Sequence, residues 1–489
     1  MNDVFIKIAE KDNVAVALKD LAKGTAAGGV RLVSDIPKGH KFALEDIKKD
    51  AKVIKYGFPI GSAQADIGKG EHIHSHNLKT DLSAKSEYEY TPKHAVIQLI
   101  TPRKLKLYKR RGGEYGIRNE LWVVPTVGCV NSVADKIVKR FSETRRAPAD
   151  GAFAFPHPFG CSQTGCDHER TRMILKGIVK HPNAGGVLVL GLGCENNRLS
   201  DFKSFLGDFD ADRIRFFNAQ DVSDEIGEGV KVLAELSSLM KRDKREDADI
   251  SRLKIGLKCG GSDGFSGITA NPLLGKFADY LTAAGGTAAL TEVPEMFGAE
   301  QLLMNRAENG KIFGKIVNLI NGFKDYFIKS GQPVYENPSP GNKDGGITTL
   351  EEKSLGCIQK SGSANVADVV DCGGILTSSG LNLLNGPGND IVATTLLGAA
   401  GCHMVLFATG RGTPLGGFVP VVKISSNDDL YAKKAGWIDF NAGGALKHGF
   451  GGTLKDLIEL TVKTAEGRLS KSELNGARDI AIFKTGITL

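Results

Sequence analysis

The sequence predicts an α/β protein, with a Rossmann-like parallel-sheet body preceded by a small all-β module, and three observations predict it. From residue 121 onward, apolar runs of strand length recur. Each closes in a glycine-rich loop and leads toward a segment of helical periodicity, the order that builds a parallel sheet. Residues 1–90 instead carry short β-rich runs between glycine and proline turns. The mixed-charge run Lys241–Asp247 separates two such α/β stretches. The expected division is therefore a β module at 1–90, a linker at 91–111, a first α/β domain at 112–250 and a second at 251–489 with glycine-rich active-site loops. At 489 residues and 41% apolar content the chain can bury several cores.

Composition excludes several classes of function. No apolar stretch approaches about 18 residues, and the first residues lack a basic start followed by an apolar run, so neither a membrane span nor a signal peptide is expected. Eight cysteines are too sparse for a disulfide scaffold, which points to thiols in a cytoplasmic protein. The net charge of +7 is spread among 56 acids, which favours an anionic small molecule over nucleic acid as partner. A homo-oligomer is expected.

Within the module, Val4–Ile8, Val14–Leu18 and Val53–Tyr56 read as strands. The turn Ile36–Lys41 is echoed at Ile67–His72, each delivering a histidine to a strand start. The run continues as His72-Ile73-His74-Ser75-His76, which on a strand places three histidines on one face. At about 3.3 Å per residue, His72 and His76 lie roughly 13 Å apart on a straight strand, so two neighbours such as His74 and His76 can share an ion and all three cannot.

The polar, basic stretch Lys85–Arg111 reads as a linker. After it come Tyr115-Gly116-Ile117-Arg118-Asn119, a strand at Leu121–Val127, and a helix bearing Val133, Ile137, Val138 and Phe141. Cys129 follows that strand. Phe153–Phe155 leads likewise to His157 and Cys161, and Gly186–Gly191 to Cys194. In the second domain Leu253–Leu257 is a strand running into Cys259-Gly260-Gly261-Ser262-Asp263-Gly264. A helix capped by Asn271 with Pro272 in its first turn follows, stopped by Gly285-Gly286 before a strand at Thr287–Leu290. Ligands in such sheets sit beyond the carboxyl ends of strands, so Cys259, Ser262, Asp263, Glu292 and Glu295 are suspects. Four strand-end cysteines, Cys129, Cys161, Cys194 and Cys259, suit iron, either as a cluster on thiolates or as a single ion shared with histidine. The residues 337–346 form a polar loop fit for a lid, and Arg411, at the end of the strand His403–Ala408, offers a planar fork to a carboxylate.

The phrases IKYGFPIG, GEHIHSHN, YGIRNELWVVPTVGCVN, GLGCENN, CGGSDGFSGITANP, ENPSPGNKDGGITTLEEKSLGC and TGRGTP together resemble the family of altronate and galactarate dehydratases from end to end. The histidine run and TEVPEMFGAEQLLM resemble its altronate branch more than its galactarate branch. Gly112 departs from the Asn or Asp expected in the turn before Ile117, and Cys166 and Cys372, outside these motifs, are read as structural. The resemblance implies that the β module is of the SAF type. It implies an iron-dependent hydro-lyase of hexuronate breakdown, taking D-altronate to 2-dehydro-3-deoxy-D-gluconate, with galactarate or another sugar acid as the alternative substrate. The cofactor implied is Fe2+ or an iron–sulfur cluster, with Mn2+ as an alternative.

In that reading Arg118 and Arg411 hold the carboxylate, Asn119 and Asp263 also face the substrate, and His40, Lys41 or His157 supplies the base. The metal ligands are drawn from Cys129, Cys161, Cys194, Cys259, His74 and His76. Two rivals are a nucleotide-dependent oxidoreductase, disfavoured because no GxGxxG follows a strand with an acid about 20 residues on, and a non-catalytic sugar-acid binding protein.

Overall fold

The computed structural model describes residues 4–82, 87–144, 150–487 and 489. The start of the module, Met1–Asp3, and the start of the basic stretch, Lys85, lie outside them. The module is all β. A four-stranded antiparallel sheet orders Phe5–Ile6, Val14–Ala17, Lys41–Ala43 and His72–Ile73, beside a three-stranded sheet of Lys52–Lys55, Phe58–Ala63 and Leu78–Lys79. Alternating small apolar residues fill its inside: Val14, Ala43, Val53, Ile60, Ala63 and Ile73 are all buried.

The body holds two parallel sheets. The first orders Ala152–Ala154, Glu120–Pro125, Ala184–Gly191 and Ile214–Asn218. The second has seven strands in the order Val366–Val370, Gly380–Leu384, Thr287–Leu290, Lys254–Cys259, Met404–Thr409, Val421–Ser425 and Phe440–Asn441. Central strands buried on both faces need continuous apolar runs, which is why Met404–Thr409 is buried throughout. Trp122 and Phe155 of the first sheet share a core with Leu396, Leu397 and Phe418 of the second domain, so the sheets are packed through common apolar matter.

Each sheet has a point where strand order reverses. In the second sheet the chain leaves Lys254–Cys259 to build one side through Thr287–Leu290 and later returns to its other side as Met404–Thr409. In the first, Glu120–Pro125 has Ala152–Ala154 on one side and Ala184–Gly191 on the other. Helices leaving opposite faces open a crevice at such points, just beyond the carboxyl ends of the strands.

Four expectations change. Lys104–Lys109, inside the supposed linker, is a strand whose Leu105 and Leu107 are buried, and it pairs antiparallel with Arg245–Asp249. That partner begins in the mixed-charge run, because an edge strand facing water on one side tolerates charge. The helix of the central stretch spans Ala270–Ala283 with Thr269 at its cap, and Asn271 instead donates its amide to Gly356 O at 3.0 Å. The histidine run leaves its strand after Ile73: His74 N donates to Asn77 Oδ1 and Asn77 N to His74 O, folding a turn where a straight strand was expected.

Candidate active site

The crevice of the seven-stranded sheet is closed by the β module, and glycines permit the contact. A Cβ on Gly264 would lie 2.0 Å from Gly39 O, and one on Gly346 would lie 2.4 Å from the same oxygen. Gly264 N donates to Gly345 O at 2.7 Å, so three backbones meet with no side chain between them. Beneath this seam, Lys41 and Lys55 of the module both reach Glu352 of the body, at 2.8 and 2.7 Å, with all three side chains about fully buried. Two ammoniums hold the Glu352 carboxyl down to about 2 against the burial that raises it. One carboxylate serves two cations, so burial and the charge of Lys55 leave Lys41 at about 8, while Lys55 is pushed up.

The turn at His74 gathers four imidazoles. His40 Nδ1 and His72 Nε2 are 3.0 Å apart, His74 stacks 5.2 Å from the His40 ring, and the ring of His76 is 5.6 Å from that of His72. Carbonyls of the short helix Pro340–Asp344 orient two of them. His40 Nε2 donates to Asp344 O at 3.2 Å and His74 Nε2 to Lys343 O at 2.9 Å, tautomers that follow from a carbonyl being able only to accept. Both rings then turn an unprotonated Nδ1 away from the helix. Burial, with His40 next, lowers His72 to about 3, so the ring is neutral across the physiological range.

Neutral imidazoles fixed by backbone acceptors are the form in which histidine binds metal. Two bonds of about 2.1 Å at a right angle separate their ligand atoms by about 3 Å, which is the His40–His72 spacing. His40 and His72 are therefore spaced as a pair of ligands for a divalent ion, whereas His74 has its Nδ1 3.0 Å from Ser75 Oγ and does not complete a three-imidazole set within 4.8 Å. Of the expected ligands His74 stacks beside this pair, His76 stands at its exposed rim, and His40, expected as a base, has the geometry of a ligand. His72 stands outside the expected pair because a straight strand puts it roughly 13 Å from His76, too far for all three to share an ion.

The same helix reaches the expected carboxylate anchor. Arg411 is exposed and donates from Nη1 to Gly341 O at 3.1 Å, with its other donors meeting no protein acceptor among the described residues. Gly341 and Asp344 lie one helical turn apart, about 4.5 Å along the axis, so one element sets both the guanidinium and the imidazoles. Asp263 is committed elsewhere: its carboxylate accepts from Ser266 N and Oγ, Ser426 Oγ and Asn427 Nδ2 at 2.8 to 3.0 Å. It ties the loop after Lys254–Cys259 to the end of Val421–Ser425, two strands away, and these bonds occupy its carboxylate.

Behind the crevice lies a knot of buried charge. Cys259 Sγ receives Lys360 Nζ at 2.7 Å, sits 3.3 Å from Cys357 Sγ and donates to Glu295 Oε2 at 3.2 Å. Lys258 pairs with Glu292 at 2.6 Å and Lys353 with Glu295 at 2.9 Å. Lys353, Lys360 and Lys258 hold Glu295 down to about 2, whereas burial and the Glu295 charge raise Glu292. Cys259, Glu295 and Cys357 place ligand-type atoms within 4.8 Å of one another. The lysines already supply the cations there, so a metal ion fits this donor set poorly. Glu292, held at a left-handed φ of 67°, donates its geometry to the knot as the helix that follows turns away. The sequence flagged Cys259, Glu292 and Glu295 and missed Lys258 on its strand, Glu352 and Lys353 on the helix Leu350–Cys357 and Lys360 in the turn after it, because nothing in local spacing foretells that these charges are buried together.

The remaining expected residues lie outside this crevice. Arg118 is fully buried at the amino end of Glu120–Pro125. It binds Glu473 through Nε and Nη2 at 2.8 and 3.0 Å and the Ile117, Thr464 and Arg468 carbonyls, which uses its whole fork and leaves none for a substrate. Asn119 accepts from Arg110 at 2.9 Å and donates N to Asp150, also at the amino end of its sheet, opposite the strand ends that carry the cysteines. His157 is buried, donates to Pro125 O at 2.8 Å and accepts from Phe159 N at 3.2 Å; burial lowers it to about 4, and both nitrogens being spent makes it a loop brace and no base. Lys41 is tied into its ion triad. Cys129, Cys161 and Cys194 follow strands of the other sheet and do not meet Cys259 through it.

Three family profiles match the chain in series: the altronate/galactarate dehydratase SAF domain at residues 3–81, the second domain of D-galactarate dehydratase/altronate hydrolase at 107–241, and the D-galactarate/altronate dehydratase C-terminal domain at 250–488. The altronate dehydratase of Escherichia coli (strain K12) is 55% identical over 494 residues, covering 99% of this chain and all of its own length. That of Bacillus subtilis (strain 168) is 54% identical with 99% of each covered. The galactarate dehydratase (L-threo-forming) of Escherichia coli (strain K12) is 34% identical, covering 90% of this chain and 88% of its own.

Proposed function

This chain belongs to the family of altronate and galactarate dehydratases, carbon–oxygen lyases, and we propose that within it the chain dehydrates D-altronate to 2-dehydro-3-deoxy-D-gluconate with the help of a ferrous ion at its histidine cluster. The observation that carries the substrate is the full-length identity of 55% to an altronate dehydratase against 34% to a galactarate dehydratase. The open guanidinium of Arg411 beside the imidazoles supports a hydroxy acid with a free carboxylate.

The reaction removes the proton on the carbon bearing the carboxylate and expels the hydroxyl of the next carbon, giving an enol that becomes the 2-keto acid. His40 and His72 would hold the ion, which when bound supplies Lewis-acid help to a poor leaving group. Arg411 takes the carboxylate through two parallel hydrogen bonds and withdraws charge from it as the proton leaves. His76, the exposed imidazole of the group, takes the proton at a ring nitrogen. The module roofs part of the crevice through Gly39, and Arg411 and His76 stay open to solvent at its rim.

Anaerobic incubation with ferrous iron and D-altronate tests the reading. Formation of a 2-keto acid is expected; binding of altronate without product would make the chain a sugar-acid binding protein. Preferential turnover of galactarate would overturn the substrate.

A further inference from the structure

The geometry points to Lys353 as a positioning residue for the proposed dehydration: from beneath, it holds the helix Pro340–Asp344, which in turn sets Arg411 and two of the imidazoles. The inference rests on the proposed function. Five residues are too few for a helix to stand by itself, because a first turn fixes more backbone than its hydrogen bonds repay. The body must hold it in place. Of the five residues Asn342 is the buried one, and the body takes hold at its side chain.

Asn342 Oδ1 accepts from Ser339 Oγ at 2.9 Å, which closes the cap, and from Lys353 Nζ at 3.2 Å. Its Nδ2 donates to Ser262 O at 2.9 Å. The residue before Ser262, Gly261, accepts Arg411 N at its carbonyl at 3.0 Å, so helix and guanidinium are both referred to one stretch of backbone. Lys353 Nζ also donates to Asn337 Oδ1 at 2.8 Å, ahead of the helix, and pairs with Glu295 Oε1 at 2.9 Å. An ammonium has three hydrogens, and these three oxygens take them.

Lys353 comes from the helix Leu350–Cys357, capped by Thr349. Three successive buried side chains of that helix go to three places. Glu351 accepts from Asp81 N of the module at 2.7 Å, Glu352 takes Lys41 and Lys55, and Lys353 takes the two asparagines. One element therefore carries both the roof of the crevice and the seat of its anchor. Charge balance at Glu295 does not require the bonds to the asparagines, because Lys360 Nζ also stands 3.8 Å from Glu295 Oε2. Burying an ammonium is costly, and those two bonds offset part of the cost only while the short helix is seated. They bias the helix toward that position.

Lys353→Met, Lys353→Arg and Asn342→Ala in the full-length chain test the role. With D-altronate and saturating ferrous iron, Lys353→Met should raise KM about tenfold and leave kcat within about threefold, because Arg411 binds the carboxylate in ground and transition states alike. Lys353→Arg keeps charge and donors and should bring KM back to within about threefold. A merely structural loss lowers the active fraction, and so kcat, at unchanged KM. Hydrogen exchange at the amides of Asn342, Lys343, Gly345 and Gly346 should quicken about tenfold or more in Lys353→Met, with Met404–Thr409 unaffected. Asn342→Ala leaves the Lys353–Glu295 pair intact, should show the same two changes, and decides the matter if Lys353→Met does not fold. Unchanged KM or unchanged exchange in Lys353→Met or, where that variant does not fold, in Asn342→Ala overturns the role. A native chain that dehydrates no sugar acid would sink the proposed function by itself, and the exchange rates would still decide whether Lys353 holds the helix.

Discussion

Arg411 and Arg118, the two arginines expected at the carboxylate, differ in how much of the guanidinium they leave open. Arg118, with every donor occupied at zero exposure, can do no more than hold Glu473, whereas Arg411 spends one donor on Gly341 O and keeps the rest for a ligand. Arg411→Lys retains charge and loses the planar fork, so kcat/KM for altronate should fall about tenfold or more, about 1.4 kcal/mol in the transition state. Near-normal turnover would remove Arg411 from the substrate site. His72→Ala deletes one of the two nitrogens standing 3.0 Å apart. Ferrous affinity measured by anaerobic titration should drop by about tenfold or more while the melting temperature holds, since His72 is half-buried at a strand end. Unchanged iron affinity would exclude the imidazole group as the ferrous site.

At the scale of elements, the site depends on how closely loop backbones approach. The five-residue helix Pro340–Asp344 is capped by Ser339 and offers carbonyls to Arg411, His74 and His40 at once, so its position fixes the guanidinium and two of the imidazoles together. Its seat is the contact of Gly345 with Gly264 and of Gly264 with Gly39. Gly264→Ala places a methyl 2.0 Å from Gly39 O, a backbone atom that cannot rotate away. We expect altronate turnover to fall by about a hundredfold, with circular dichroism of the body unchanged. Full activity would mean that the seam opens without consequence. Glycine-rich loops were visible in the sequence; which glycines touch which was not, because the partners lie hundreds of residues apart.

For the molecule as a whole, the ion triad of Lys41, Lys55 and Glu352 joins the module to the body, and its pH dependence has a definite sign. The Glu352 carboxyl titrates at about 2 when folded against 4.5 for the ordinary group. Its contribution to stability is complete above pH 4.5 and declines as pH falls from there toward 2, by an amount of order 3 kcal/mol. Thermal unfolding followed across that window should show a steep loss in the native chain and a flatter one in Glu352→Gln. That variant should already be weaker at neutral pH by about 3–5 kcal/mol, because two buried ammoniums lose their counter-ion. Equal acid slopes in both proteins would mean that some other carboxyl governs the acid limit.

The order of strands and helices, the division into β module and α/β body, and the placing of four cysteines after strands are local properties. They follow from periodicity, turn chemistry and short apolar runs, and Thr287–Leu290 starts where the preceding glycine pair stops the helix. Tertiary structure decided everything that depends on which strand ends meet. It split Cys259 from Cys129, Cys161 and Cys194 by assigning them to different sheets, and sent Arg118 to the amino end of its strand while Arg411 went to the carboxyl end. It bent the histidine run so that His40, from the other turn of the echo, closes on His72. The physical reason is the same in each case: hydrogen bonds and burial at these residues join segments that no window of neighbouring sequence contains, so their chemistry exists only once the sheets and the module are packed together.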